Sequence, residues 1–343
     1  MMDEKTLGII GTAYGWGEVQ TVPVHSGLIN TTLKVTVGRN TYLLQQVNTN
    51  VFHHPEQIDE NLGMLAGHLR KYTAGYLFTA PVAMIDGTTL LVIDNRYYRV
   101  FDWVHGSHTI DVVSQSGQAY EASRQFGQFT ALLKGFNAEQ LHHSLPDFHN
   151  LSLRYRQFET ALQNGNNERI LAATDAIAYL QSQIRIVKRY ESFISHPEAK
   201  KRVTHHDTKI SNVLFDGQDK GLCVIDLDTV MPGYFLSDVG DMFRTYSCPV
   251  SEEEKNLDLV MVRKDFIRGI EKGYLSVMTD ELSQFEKDHL FFGGEILIYM
   301  QAIRFITDYL NNDIYYGSRY PGHNLVRTDN QARLLKEFQK AIR

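Results

Sequence analysis

Cysteine is almost missing from this chain. Only Cys223 and Cys248 occur in 343 residues, with no CxxC spacing. That argues against a disulfide framework and a zinc site, and it fits a reducing cytoplasm. Proline is thin as well. Its eight residues are scattered, so no proline-rich linker divides the chain. Basic charge is massed nowhere, and 34 Lys and Arg stand against 40 Asp and Glu, a balance of −6. Such a molecule does not seek nucleic acid or an anionic membrane. Long apolar runs are lacking. "FFGGEILIYM", Phe291 to Met300, is interrupted by Glu295 and too short to span a bilayer. The opening "MMDEKTLGII" is acidic where a signal peptide is basic. Internal repeats and low-complexity segments are also lacking. These gaps point to a soluble, cytoplasmic protein.

What is present is ordinary for a globular enzyme: 43% apolar and 22% charged residues. The length favours two lobes over one core. The first hundred residues read as β-rich. "TVPVHSGLINTTLKVTVGRNTYLLQQVN" alternates apolar and polar residues around the turns "HSGLIN" and "GRN". A helix follows, with Ile58, Leu62, Leu65 and Leu69 at helical spacing. Two more strands, "TTLLVID" and "YYRVFDWV", meet at Asp94-Asn95. Beyond about residue 105 the period changes. Ala119, Ala122, Phe126, Phe129, Leu133 and Phe136 predict one long helix. Ile170, Ala173, Ile177, Leu180, Ile184 and Val187 predict a second, and "KDHLFFGGEILIYMQAIRFITDYL" a third. Between the second and third stand two short β-like runs, "NVLFD" and "GLCVIDLD", split by "GQDKG". The expected fold is α+β: an antiparallel β-rich N-lobe over 1–104, a connector near 101–105, and a helical C-lobe over 105–343. The cleft between the lobes is the default ligand site.

The stretch "VTHHDTKISNVLFD" carries chemistry. His205, Asp207 and Asn212 have the spacing H-x-D-x-x-x-x-N, with Lys209 two residues after the aspartate. Asp226 closes the hairpin that follows. Phosphoryl transfer needs a carboxylate to orient the attacking hydroxyl, oxygen ligands for magnesium, and positive charge over the phosphoryl. The kinase catalytic loop supplies these at the same spacing. The isolated motif also arises in surface turns; the lysine and the hairpin favour the catalytic reading.

On these residues the chain resembles the protein-kinase-like phosphotransferases, a superfamily that includes aminoglycoside phosphotransferases, choline kinases and homoserine kinases. "THHDTKISNVLFD…CVIDLDTVMPGYFLSDVGDMFRT" is more similar still to bacterial N-acetylhexosamine 1-kinases. The resemblance implies a bilobal kinase-like fold. It implies ATP and magnesium (Mg2+) as cofactors, and phosphorylation of a small acceptor, above all the anomeric hydroxyl of an N-acetylhexosamine. Asp207 is then the catalytic base and Lys209 its companion over the γ-phosphoryl. Asn212 and Asp226 hold the metal. His205 steadies the loop.

The nucleotide side is less regular. "HSGLINTT" takes the place of the nucleotide-covering loop, with Gly27 allowing close approach and Asn30, Thr31 and Thr32 offering donors. No GK[ST] follows, so it is not a Walker A motif. The next strand, "YLLQQVN", has Gln45 and Gln46 where protein kinases place a lysine. Either a neutral contact suffices, or Lys34 or another cation approaches from elsewhere. Glu56 and Glu60 then have no lysine to pair with and read as solvated. "RVFDWVHG" resembles the hinge, with the adenine edge on the Asp102 carbonyl and the Val104 amide, and Trp103 packing nearby.

The acceptor side is open to more than one reading. Strand alternation puts Asp228 on the face of Asp226, near the metal or the substrate. Of Asp238 and Asp241, one is expected to cap a helix and the other to brace the catalytic loop. Arg304 and Asp308 sit four apart in an apolar helix, as an internal ion pair or a substrate wall; Arg244 poses the same choice. With Arg319 they favour a neutral acceptor over a polycation. The other histidine pairs, 53–54, 142–143 and "HGSH", have no metal-site spacing. A nucleotide-binding pseudokinase is the rival function, supported by the missing lysine.

Overall fold

The computed structural model describes residues 2–24, 29–73 and 75–343. Helix α1 (Glu4–Tyr14) opens it, capped by the Asp3 carboxylate on the Thr6 amide at 2.7 Å. Strands β1 (Val19–Val24), β2 (Thr31–Val37) and β3 (Asn40–Gln46) follow, then helix α2 (Pro55–Tyr72) with proline in its first turn. Next come β4 (Leu91–Ile93) and β5 (Arg96–Asp102). These strands form one antiparallel sheet in the order β1-β2-β3-β5-β4. Pro23, which cannot donate to a ladder, sits on the edge strand β1. Asp94 and Asn95 both have positive φ, 49° and 60°, as a two-residue hairpin turn demands. Ile10 of α1 packs with Leu33, Val35, Leu44, Tyr98 and Val100 as a small separate core. Neither α1 nor its cap stands out in the sequence, because a short helix shows little periodicity.

The helical region begins with α3 (Ser116–Leu132). Its face is as expected up to Leu133, but Phe136 lies beyond the end, where Gly135 turns the chain at φ 82°. The helix α4 (Leu151–Asn164) follows. The predicted long helix after it is three: α5 (Asn167–Ala172), α6 (Thr174–Ser182) and α7 (Arg185–Ile194). At the joints the amides bond three residues back, Ala173 to Ile170, Gln183 to Leu180 and Ile184 to Gln181. These tight turns break the axis while keeping the apolar residues on one side.

Strand β6 (Lys201–Thr204) leads to the hairpin β7 (Val213–Phe215) and β8 (Gly221–Val224), placed where the sequence reading expected it, and then to β9 (Met231–Tyr234), which pairs with β6. Helices α8 (Phe235–Tyr246), α9 (Lys264–Met278), α10 (Gln284–Asp288), α11 (Leu290–Leu310) and α12 (His323–Ala341) complete the chain. The predicted third helix is α10 and α11, separated at His289. Helix α11 is the centre of the large core, with Ile298, Tyr299, Ala302, Ile303 and Phe305 fully shielded. By length and composition α11 could cross a membrane, but 78% of its apolar window is buried inside the protein, as in a core helix. It crosses α8 so closely that a Cβ on Gly240 would lie 2.3 Å from the Gly293 carbonyl oxygen. Only glycine permits that approach.

Candidate active site

The loop after β6 is held from beneath by α8. Asp238 accepts the backbone N–H groups of His205 at 3.0 Å and His206 at 2.7 Å. Asp241 accepts the N–H of Thr208 at 3.0 Å, and the Thr208 hydroxyl donates to the Asp238 carbonyl at 2.8 Å. Neither aspartate caps the helix, whose N-cap is Tyr234. The expected cap and brace are therefore two braces. Burial pushes the Asp238 carboxyl up to about 7, against the two N–H bonds that favour its charge.

The loop histidines are structural. His205 Nε2–H donates to the Ile225 carbonyl at 3.0 Å, and its ring meets Phe126 edge-on. The Nδ1 atom accepts the Asp207 N–H at 3.3 Å, which fixes the neutral tautomer. His206 is buried too, not on the surface. It adopts a left-handed φ of 68° and shares Ser237 Oγ with His149, at 2.7 and 2.5 Å. Burial pushes its imidazole down to about 3. A Cβ on Gly233 of β9 would stand 2.4 Å from that ring, so glycine makes room for it.

Asp207 Oδ1 lies 2.9 Å from Lys209 Nζ, and Asn212 Nδ2 donates to Asp207 Oδ2 at 3.1 Å and to its carbonyl at 2.9 Å. Burial alone would raise the Asp207 carboxyl, but Lys209, His205 and the Asn212 amide outweigh it and hold the group below its usual range. It is an ionised acceptor at neutral pH. Asn212 Oδ1 has no partner among the described residues. Asp226 has protein on nearly every side, yet its carboxylate opens onto the cleft and reaches solvent. Its backbone is left-handed, φ 59°, and it has no hydrogen bond or ion pair among the described residues. Crowding by the protein, then the charges of Asp228 and Asp207, push its carboxyl upward. An uncompensated acid beside two others is a place for a cation. No cluster of three or more acidic, His or Cys side chains encloses an ion among the described residues. Magnesium does not need one, because it binds through one or two carboxylates plus water and phosphate oxygens. Asp226 and Asn212 fit that demand.

A cavity of 430 Å³ runs from Asn212, Asp226 and Asp228 to Thr32, Gln45, Asp102, Trp103 and Val104. The Val104 amide has no partner among the described residues, and its carbonyl accepts Ser107 Oγ at 2.7 Å. Asn30 donates to Asp228 Oδ2 at 2.8 Å and accepts the Asn48 amide, so its side chain ties the sheet to the loop after β8. Gly27 lies outside the described residues. Gln45 does not point alone at open space. Its carbonyl oxygen accepts Arg99 Nη2 at 2.9 Å and Nε at 3.2 Å. Lys34, the suggested replacement cation, lies over the Trp103 ring at 4.6 Å. Glu56 and Glu60 face histidines in exposed pairs, as solvated residues do.

On the other side of Asp207 lies a larger, open cavity of 1710 Å³, lined by Asp207, Lys209, Phe148, Arg154, Tyr315 and Tyr316 among others. A third cavity of 520 Å³ joins Asp207 to His149, Arg244 and Arg304. Arg244 is committed to carboxylates, Asp241 at 2.8 Å and Glu252 at 3.1 Å, and thereby anchors a brace. The ion pair considered for Arg304 and Asp308 does not form. Asp308 accepts the amides of Tyr315 and Tyr316 at 2.7 and 2.9 Å, and the Asn324 amide. Arg304 is left among the rings of Phe148, Tyr315 and Tyr316, with no carboxylate partner among the described residues. Arg319 is largely exposed near Glu253. Sequence reading missed Arg99 and Arg154. The signal for Arg99 was a charge within the apolar strand "YYRVF".

Residues 20–261 match the model of the phosphotransferase enzyme family. The fold is similar to an aminoglycoside phosphotransferase from Alicyclobacillus acidocaldarius, at TM-score 0.65 and 12% identity over 99% of this chain and 96% of that one. It is also similar to a spectinomycin phosphotransferase solved with ADP and spectinomycin, at TM-score 0.64 and 12% identity over 99% of both chains. A microcompartment-associated aminopropanol kinase superposes at TM-score 0.62 with 19% identity, over 99% of this chain and 98% of that one. With the braced Asp207 loop and a family match over most of its length, the chain belongs to the phosphotransferase enzyme family.

Proposed function

We propose that this protein is an ATP- and magnesium-dependent kinase that phosphorylates the anomeric hydroxyl of an N-acetylhexosamine. The observation that carries the kinase reading is the position of Asp207. Its carboxylate borders the open acceptor cavity, while its partner Asn212 borders the narrow one that contains Asp226. Residues 1–104 then form the nucleotide-binding part, with the adenine edge at Asp102 and Val104, and residues 105–343 the acceptor part.

The chemistry follows from the groups present. Asp207, ionised and fixed by Lys209 and Asn212, orients the acceptor hydroxyl and takes its proton as the oxygen bonds to the γ-phosphorus. The bond from that phosphorus to the bridging oxygen breaks, and ADP leaves with the electron pair. Lys209 supplies positive charge near the transferring group. Magnesium, held by Asp226 and Asn212, would neutralise phosphate charge when bound.

The acceptor wall narrows the substrate class. Arg154 and Arg304 have no carboxylate partner among the described residues, and Phe148, Tyr315 and Tyr316 present ring faces. Arg154 in this cavity and Arg304 in the adjoining one oppose a polycationic acceptor, against the acids Asp207, Glu253 and Asp308 that also line it. A neutral sugar offers oxygens to the guanidinium groups and an apolar ring face to the aromatics. The anomeric hydroxyl is the most acidic of a sugar, which lightens the work of the base.

The test is phosphate transfer from ATP across a panel of free sugars, methyl glycosides, choline, homoserine and an aminoglycoside. N-acetylglucosamine or N-acetylgalactosamine should be phosphorylated with loss of the reducing end, and the methyl glycosides should not react. Asp207→Asn should lower turnover about a hundredfold or more while nucleotide binding persists. Phosphorylation of a methyl glycoside refutes the anomeric reading; choline as the best acceptor refutes the sugar; no transfer to any acceptor favours a pseudokinase.

A further inference from the structure

Strand β3 has no lysine, yet the narrow cavity is not without a cation. Arg99 lies on β5 directly across from Gln45 of β3 in the antiparallel register. Its side chain is only 3% exposed and lines the cavity with Asn212, Asp226 and Asp228. The Gln45 carbonyl oxygen receives both Nε and Nη2, which fixes the plane of the guanidinium. The Gln45 amide nitrogen turns the other way, to Thr32 Oγ1 at 3.4 Å. Nη2 also stands 2.6 Å from Asp228 Oδ1, without the alignment of a hydrogen bond. That contact is one of charge with charge.

A buried arginine is costly to desolvate, and an apolar triad of similar size would stabilise a sheet as well or better. Its retention within a ligand cavity calls for a use. Gln45 takes the Nε–Nη2 edge of the guanidinium, and Nη1, with no hydrogen-bond partner among the described residues, is left to donate to a phosphate oxygen. Asp228 balances the charge while the cavity holds no anion. The same positive charge favours ionisation of Asp226.

We propose that Arg99, held in orientation by Gln45 and poised against Asp228, is the cation that binds the nucleotide phosphates in place of a β3 lysine. The positive charge is thus moved one strand along the sheet. In this arrangement Gln45 is a positioning residue for Arg99. The proposal rests on the nucleotide reading of the narrow cavity, but not on the identity of the acceptor.

Titration calorimetry with ADP and adenosine, without magnesium, tests it. The readout is the ratio of the two affinities, because adenosine shares every contact except those to phosphate. Arg99→Gln should lower ADP affinity about 10- to 100-fold, the range for losing a charge-assisted hydrogen bond, and leave adenosine within about twofold. The double variant Gln45→Lys with Arg99→Gln returns a cation to β3 and should recover part of the ratio. An unchanged ratio in Arg99→Gln, or an equal loss for both ligands, overturns the proposal. Should Arg99→Gln fail to fold, Gln45→Met carries the test. It removes only the orienting acceptor and should reduce the ratio about three- to tenfold; an unchanged ratio there overturns the proposal too. Wild-type protein that binds neither ligand refutes the nucleotide reading itself, and this inference with it. Wild-type protein that binds both, with the ratio indifferent to Arg99, refutes the inference alone.

Discussion

Replacing Asp238 by alanine should separate support of the catalytic loop from catalysis itself. The side chain is shielded and lines none of the three cavities described above, but its carboxylate accepts two loop amides at 3.0 and 2.7 Å. Truncation leaves both N–H groups buried without partners, at about 1–3 kcal/mol each. Part of that is offset, because burial already disfavours the charged carboxylate and pushes it up to about 7. The net loss should be roughly 2–4 kcal/mol. In a chain of this size that lowers Tm by roughly 3–6 °C. Turnover should fall further, about a hundredfold, since the loop that aims Asp207 loses its floor and displacements near 1 Å have effects of that size. Asp238→Asn keeps one acceptor oxygen and should lose about half the stability. Scanning calorimetry beside a transfer assay measures both. If Asp238→Ala melts within about 1 °C of wild type and turns over within twofold, the two amide bonds do not support the loop as argued.

Two further outcomes follow from the same geometry. Asp226→Ala should abolish transfer at ordinary magnesium and recover in part when magnesium is raised, whereas an unchanged magnesium dependence would move the metal site elsewhere. His206 also makes an acid-labile contribution, opposite in sign to that of Asp238: it is held down to about 3 from an ordinary value of 6.5, so the unfolded chain binds the extra proton between these values. The stability His206 contributes is full above about pH 6.5 and declines as pH falls toward 3. His206→Asn, which tolerates the left-handed backbone, should flatten that slope in denaturant titrations, and an unaltered slope would refute the assignment.

Legibility in the sequence followed distance along the chain. The Asp207 loop and its hairpin could be placed because His205, Asp207, Lys209 and Asn212 lie on one turn, and a local spacing is a local geometry. The order of sheet then helices was readable for the same reason, through period two and period 3.6. Arg99 was not. It meets Gln45 only through strand pairing and Asp228 only through tertiary folding, and Asp228 itself is turned away from a free role by that contact. Helix α12 escaped notice because its inner face is polar: Asn324, Thr328, Asn330 and Gln331 are all buried there, so its apolar stripe is diluted. The segment from Arg169 to Ile194 reads as one helix because tight turns preserve the side of the apolar residues while breaking the axis. Arg304 and Asp308 show the limit of pairing by spacing. The four-residue interval permits the ion pair, but two backbone amides from the following loop reach Asp308 first.

The charges across the cleft explain why three aspartates can share it. Asp207 has Lys209 at 2.9 Å and Asp228 has Arg99 at 2.6 Å, while Asp226 has no such partner among the described residues. The uncompensated charge among these three is therefore that of Asp226, which lines the narrow cavity beside Asp228. Under the proposed function Asp226 is the seat of the divalent cation, and Lys209 and Arg99 are the cations that face its phosphates. On the acceptor side, Arg154 in the open cavity and Arg304 in the adjoining one have no carboxylate partner among the described residues, while Asp207, Glu253 and Asp308 also line the open cavity. Under the proposed function, the narrow end is the seat of a metal-bound polyanion and the open end that of the acceptor alcohol, the arrangement phosphoryl transfer demands.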